Sequence, residues 1–181
     1  MPAAAFPAPS EDALRVVDWV QTADQGVLAG VDRSRVAVLG ASAGGYLALM
    51  VGLLLGAARV RAIVSLAGPA THHSGVRHEQ LWRLRDGRAL VPPVGLVSDC
   101  TPPVLCVHSV NDELVRPSES RAVVERVRAS GSRADLYEFD GLGKQHGIWR
   151  AETDPPFLLG HLEDWIGAFL GEVLGGERAV L

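Results

Sequence analysis

The sequence predicts an α/β protein, a mostly parallel sheet of about four strands flanked by helices, as a single domain over residues 1–181. Three observations carry this reading. Short apolar runs alternate with helical patterns along the chain. The runs "VAVLG", "VRAIVSLAG" and "PPVLCVHSV" are apolar on both faces, as strands of a parallel sheet covered on each side must be. A length of 181 residues is enough for one sizeable core but not for two.

The elements follow in order. Ser10, with Glu11 and Asp12 behind it, reads as a helix cap with an acidic first turn, and Ala13, Leu14, Val16, Val17 and Val20 give one apolar side as far as Thr22. "VDRSR" is a polar turn, and "VAVLG" is expected to be a fully buried strand. Gly44 to Leu55, crowded with Ala, Leu and Gly, predicts a helix packed on both sides. "VRAIVSLAG", "PPVLCVHSV" and "ADLYEFDG" supply the next strands. Between the last two lies "SESRAVVERVRAS", with Ser118 as cap and an apolar stripe through Ala122, Val123 and Val127. "PFLLGHLEDWIGAFLGEVL" closes the chain as an amphipathic helix, Pro156 standing near the first turn, where a missing N–H costs nothing. Residues 70–102 break the alternation. Their Gly, Pro, His72, His73 and the Arg-rich "RHEQLWRLRDGR" predict an insertion over the strand ends with one short helix, serving as a cap or lid.

Composition removes several classes of function. A net charge of −4, with Lys and Arg scattered, draws the chain neither to nucleic acid nor to an anionic membrane surface. No run reaches the roughly 18 apolar residues of a membrane-spanning helix. "MPAAAFPAPSED" lacks the basic start and apolar core of a signal peptide, so a cytoplasmic location is the expectation. Cys100 and Cys106 form no disulfide framework, and Cys106, inside an apolar run, reads as a buried thiol. No ligand spacing for a metal accompanies them, and no cofactor is expected.

The chemistry lies in Gly40-Ala41-Ser42-Ala43-Gly44, a G-x-S-x-G match between an apolar strand and a small-residue helix. A nucleophilic serine must stand proud of the sheet on a turn so tight that flanking side chains nearly vanish, hence the glycines. The helix that follows points its first amides at a developing oxyanion, which makes the Ala43 N–H one donor. A glycine at position 42 and a lysine at 46 would be needed for dinucleotide and P-loop motifs; Ser42 and Tyr46 stand there instead. Serine needs a histidine base, and the histidine needs a carboxylate. Asp112, just past the strand "PPVLCVHSV", and His146, in the glycine-rich loop after the next strand, follow Ser42 in the chain order Ser, Asp, His, all at the carboxyl edge of a parallel sheet. Glu113 and Asp140 are rival acids. The other histidines fit less well: His108 lies inside a strand, His161 on the last helix, and His72, His73 and His78 precede the acid.

With these residues in place, the chain resembles the α/β-hydrolase superfamily, in particular the esterases and lipases of the hormone-sensitive-lipase-like group, and is also similar to small carboxylesterases and feruloyl-esterase-like enzymes. "FPAPSEDALRVVDWV", "VDRSRVAVLGASAGGYLAL" and "PPVLCVHSVNDELVRPSESRAVVERVRASG" carry the resemblance, which with the histidine loop covers nearly the whole chain. It implies cleavage of a small-molecule carboxylic ester through an acyl-enzyme, with residues 70–102, including Trp82, lining an acyl pocket. In such relatives, strands and an "HGGG"-type oxyanion loop precede the first helix, whereas this sequence opens at that helix. The expectation is therefore a partial fold with Ala43 as the one assignable oxyanion donor. "VAVLG" would be left at an open sheet edge that a partner chain or a second copy covers. Two other readings stay open: a non-catalytic or partner-dependent half-domain, and a tailoring enzyme using the same three residues for acyl transfer or cyclisation.

Overall fold

The structure, a computed structural model, describes residues 7–24, 26, 28–71, 91–140, 146–147 and 156–175. Helix α1 (Ala8–Thr22) leads into strand β1 (Ala37–Ala41), helix α2 (Ala43–Leu55) and strand β2 (Ala62–Leu66). A turn of 3-10 helix at Pro93–Leu96 precedes strand β3 (Val104–Ser109), helix α3 (Ser118–Ala129), strand β4 (Ala134–Phe139) and helix α4 (Pro156–Leu174). The four strands form one sheet in the order β1-β2-β3-β4, every pair parallel. All strand ends that feed loops toward a site therefore lie on one edge.

Alternation along the strands divides the core in two. Ile63, Val104 and Cys106 face α1, α2 and α3 and pack with Val17, Leu49, Val51, Val123 and Val127. Val64, Leu66, Leu105 and Val107 face the other way, onto Leu162, Ile166, Phe169 and Leu170 of α4. β2 and β3 are buried at every position, which is why their sequences are apolar without a break.

β1 departs from the expectation of full burial. It pairs with β2 on one side and lies at the sheet edge, so its residues are only half-buried and Leu39 is 49% exposed. An apolar groove of about 400 Å³ runs beside it, lined by Val16 and Val20 of α1, Val38 and Leu39 of β1, and Leu47 and Val51 of α2. Both expected serine caps are also corrected. α1 begins at Ala8 behind Pro7, which leaves Ser10 buried in its first turn, where its N–H meets the Pro7 carbonyl. α3 begins at Ser118 itself, behind Pro117 and without a side-chain cap. Proline, with φ already near its helical value, starts both helices earlier than a serine cap would.

Of the stretch expected as an insertion, residues 91–102 belong to the body: Pro93 and Val97 are buried, the latter within the larger core cluster. Residues 72–90, including the expected short helix, His72, His73, His78 and Trp82, lie outside the described residues. Among the described residues, no helix is long and apolar enough to cross a membrane.

Candidate active site

The turn from β1 into α2 explains its own sequence. Ser42 has φ 54° and ψ −119°, a backbone conformation that costs a non-glycine residue energy and places its side chain at the crest of the turn. Its N–H donates to the Leu66 carbonyl at 2.8 Å, tying the crest to the end of β2. A Cβ on Gly40 would stand 2.1 Å from the Gly44 carbonyl oxygen, so only glycine lets the strand pass the helix start. Gly44 itself is different. A Cβ there meets nothing within 4 Å, and the second enforced glycine is Gly45, whose added Cβ would approach Gly68 Cα and Ser65 Oγ at 2.9 Å. The symmetric pair of glycines read from the motif is thus corrected to Gly40 and Gly45, because Gly44 faces the open groove.

Asp112 and His146 converge on Ser42. Its Oγ lies 2.7 Å from His146 Nε2, and His146 Nδ1 lies 2.8 Å from Asp112 Oδ2. A carboxylate only accepts, so Nδ1 carries the proton, and the unprotonated Nε2 accepts from the serine hydroxyl. Asp112 is buried on the loop after β3, where its Oδ1 accepts the N–H groups of Leu114 and Val115, each at 2.9 Å. Burial pushes the Asp112 carboxyl up, but hydrogen bonds from His108, His146 and the Val115 N–H outweigh it, leaving the group well below the usual carboxylate range. Ala43, the first residue of α2, is exposed next to Ser42, and an amide at that helical position has no intrahelical acceptor.

The rival residues are placed elsewhere. Glu113 is exposed, Asp140 accepts from Asn111 Nδ2 at 2.6 Å, and His161 stacks on Trp165 along α4. Two features escaped sequence reading. Ala67, at the end of β2, also has a positive φ of 49°, with Gly68 following it behind the serine turn. Glu119, in the first turn of α3, is 2% exposed; its carboxylate accepts the N–H groups of Ala70 and Thr71 and the Thr71 hydroxyl at 2.6–2.8 Å. It thereby fixes the last described residues before position 72. Nothing in "PSES" distinguishes this glutamate from an ordinary acid in a helix's first turn.

Residues 1–93 match the model of a family described as the alpha/beta hydrolase fold. The chain belongs to that family. Similar solved structures agree on the fold. The carboxylesterase Cest-2923 from Lactobacillus plantarum WCFS1 superposes with a TM-score of 0.76 at 18% identity, over 92% of this chain and 68% of that one. An alpha/beta hydrolase enzyme from a Medee basin deep-sea metagenome library gives a TM-score of 0.70 at 20% identity, covering 97% and 68% of the two chains. An acetyl ester-xyloside bifunctional hydrolase from Caldicellulosiruptor lactoaceticus gives 0.69 at 23% identity, over 93% and 68%. No curated protein matches at significant sequence similarity. In this alpha/beta hydrolase-fold chain, then, Ser42 and Asp112 stand just past the carboxyl ends of β1 and β3, with His146 in hydrogen-bonding distance of both.

Proposed function

We propose that the protein is a serine hydrolase that cleaves a carboxylic ester of modest size through an acyl-enzyme. The observation that carries the proposal is the continuous hydrogen-bonded line from Ser42 Oγ through His146 to Asp112, at 2.7 and 2.8 Å. Ser42 Oγ attacks the acyl carbon as its proton passes to His146 Nε2. The carbonyl oxygen becomes an oxyanion held in part by the Ala43 N–H, and Asp112 stabilises the imidazolium. Collapse of the intermediate expels the alcohol, which takes the proton back from His146. Water then repeats the sequence on the acyl-serine and releases the acid. The esterases among the similar structures support an ester as substrate. No residue here is asked to hold a metal or an organic cofactor.

The experiment is hydrolysis of a short p-nitrophenyl ester by wild type and by Ser42→Ala, with a fluorophosphonate probe as a second readout. Ser42→Ala is expected to lose roughly a thousand-fold or more in kcat, and the probe to label wild type stoichiometrically at Ser42. Equal turnover by both proteins, with no labelling, would overturn the proposal. Product analysis with an added alcohol or amine separates hydrolysis from acyl transfer.

The half-open edge of β1 favours a second reading, in which an extended apolar strand of another polypeptide must pair with β1 before the site works. Light scattering on the labelled material decides it: a monomer that reacts fully with the probe removes this reading.

A further inference from the structure

A second histidine stands behind the proposed triad. His108, on β3, is fully buried, and its Nε2 lies 3.2 Å from Asp112 Oδ2 and 3.0 Å from the Val115 carbonyl oxygen. Its Nδ1 lies 2.7 Å from Ser120 Oγ on α3. Both neighbours of Nε2 are pure acceptors, so Nε2 carries a proton shared between them, and Nδ1 accepts from the Ser120 hydroxyl. The ring is therefore clamped between a central strand and a helix, with one N–H aimed at the carboxylate that orients His146.

The need for such a clamp follows from how Asp112 is held. The Leu114 and Val115 amides grip Oδ1 alone, and a carboxylate gripped at one oxygen can still swing its other oxygen. Oδ2 is the atom that meets His146 Nδ1, and His146 follows β4 in the chain. His108 reaches the same oxygen from β3, which is hydrogen-bonded to strands on both sides. We propose that His108 is a positioning residue that fixes the plane of the Asp112 carboxylate, so that Oδ2 stays aligned with His146 Nδ1. This rests on the reading of Ser42, His146 and Asp112 as the catalytic triad.

Two polar replacements separate positioning from bulk structure. Glutamine places an N–H near the position of Nε2 and keeps the contact to Asp112; asparagine reaches only as far as Nδ1 and keeps the contact to Ser120. With the p-nitrophenyl ester, His108→Gln is expected to stay within about threefold of wild type. His108→Asn should lose about ten- to a hundred-fold in kcat, the range of a hydrogen bond to a charged group, with KM unchanged. The second readout needs no substrate: the low-field proton resonance of His146 Nδ1–H, identified by its loss in His146→Ala, should persist in His108→Gln and broaden away in His108→Asn. Equal kcat in the two variants, or an unchanged resonance in His108→Asn, would overturn the inference. If His108→Asn fails to fold, Ser120→Ala, which frees the far side of the ring, decides by the same readouts: several-fold lower kcat and a broadened resonance support the clamp, and wild-type values for both overturn it. Should Ser42→Ala prove as active as wild type, the triad reading fails by that separate result, and the resonance still judges the clamp.

Discussion

Gly40 and Gly45 hold the serine turn together by having no side chain. The strand passes the helix start so closely that a methyl group at position 40 would overlap the Gly44 carbonyl, and at position 45 it would collide with the backbone at Gly68. Gly44, between them, faces open space. Gly40→Ala and Gly45→Ala are each expected to cost about 1–3 kcal/mol, seen as a Tm fall of roughly 2–12 °C, together with most of the proposed ester hydrolysis. Gly44→Ala should leave both nearly unchanged, since alanine favours a helix over glycine by about 1 kcal/mol. A collapse of Gly44→Ala in thermal melts would show that something fills the groove beside β1. At this scale the chain order Ser, Asp, His pointed to Ser42, Asp112 and His146, and the structure brings these three together through hydrogen bonds from Ser42 to His146 and from His146 to Asp112. The sequence hid which glycine is indispensable, since that depends on the backbone of residue 68, more than twenty positions away. It hid the contacts of His108 and Glu119 as well. A histidine inside a strand and an acid opening a helix have ordinary local explanations; the turn after β3 brings Asp112 back to His108, four residues before it, and tertiary packing brings Glu119 to Thr71.

Among the elements, β1 shares with β4 a single hydrogen-bonded neighbour and partly exposed residues, unlike the fully buried β2 and β3, although it leads into the Ser42 turn. The N–H of Ser42 points to β2, and by alternation those of Leu39 and Ala41 point to the open edge. Amide exchange followed by NMR should therefore be orders of magnitude faster at Leu39 and Ala41 than at Val64 and Val107 inside the sheet. Equal protection would mean that the edge is covered in solution. Every strand and every long helix was legible from apolar runs and periodicity. The exposure of β1 was not legible from its own residues, because "VAVLG" has the composition of a central strand; it followed instead from the resemblance, which placed "VAVLG" at an open sheet edge, where the described residues put it. Helix starts were misread where proline and serine compete: the local cap signal pointed to Ser10 and Ser118, and the prolines before them set the boundary.

For the molecule as a whole, parallel pairing turned a one-dimensional pattern into a site. Strands that all run the same way, joined by helices, put every second connection on the same edge, so three residues separated by up to 104 positions meet within hydrogen-bonding distance. The same central placement has a use beyond chemistry. Of the two cysteines in the sequence, Cys100 is exposed beside Asp99, which raises its thiol pKa. Cys106 lies on β3 between flanking strands, fully buried, with its thiol pushed up to about 12 by that burial. A maleimide or a disulfide reagent in mild buffer therefore has one group to modify in the native protein and two in the denatured chain. The slow second modification acts as a built-in clock for the separation of β3 from its neighbours. Native and variant proteins can thus be ranked for conformational opening by mass shift alone, with no label introduced by mutation.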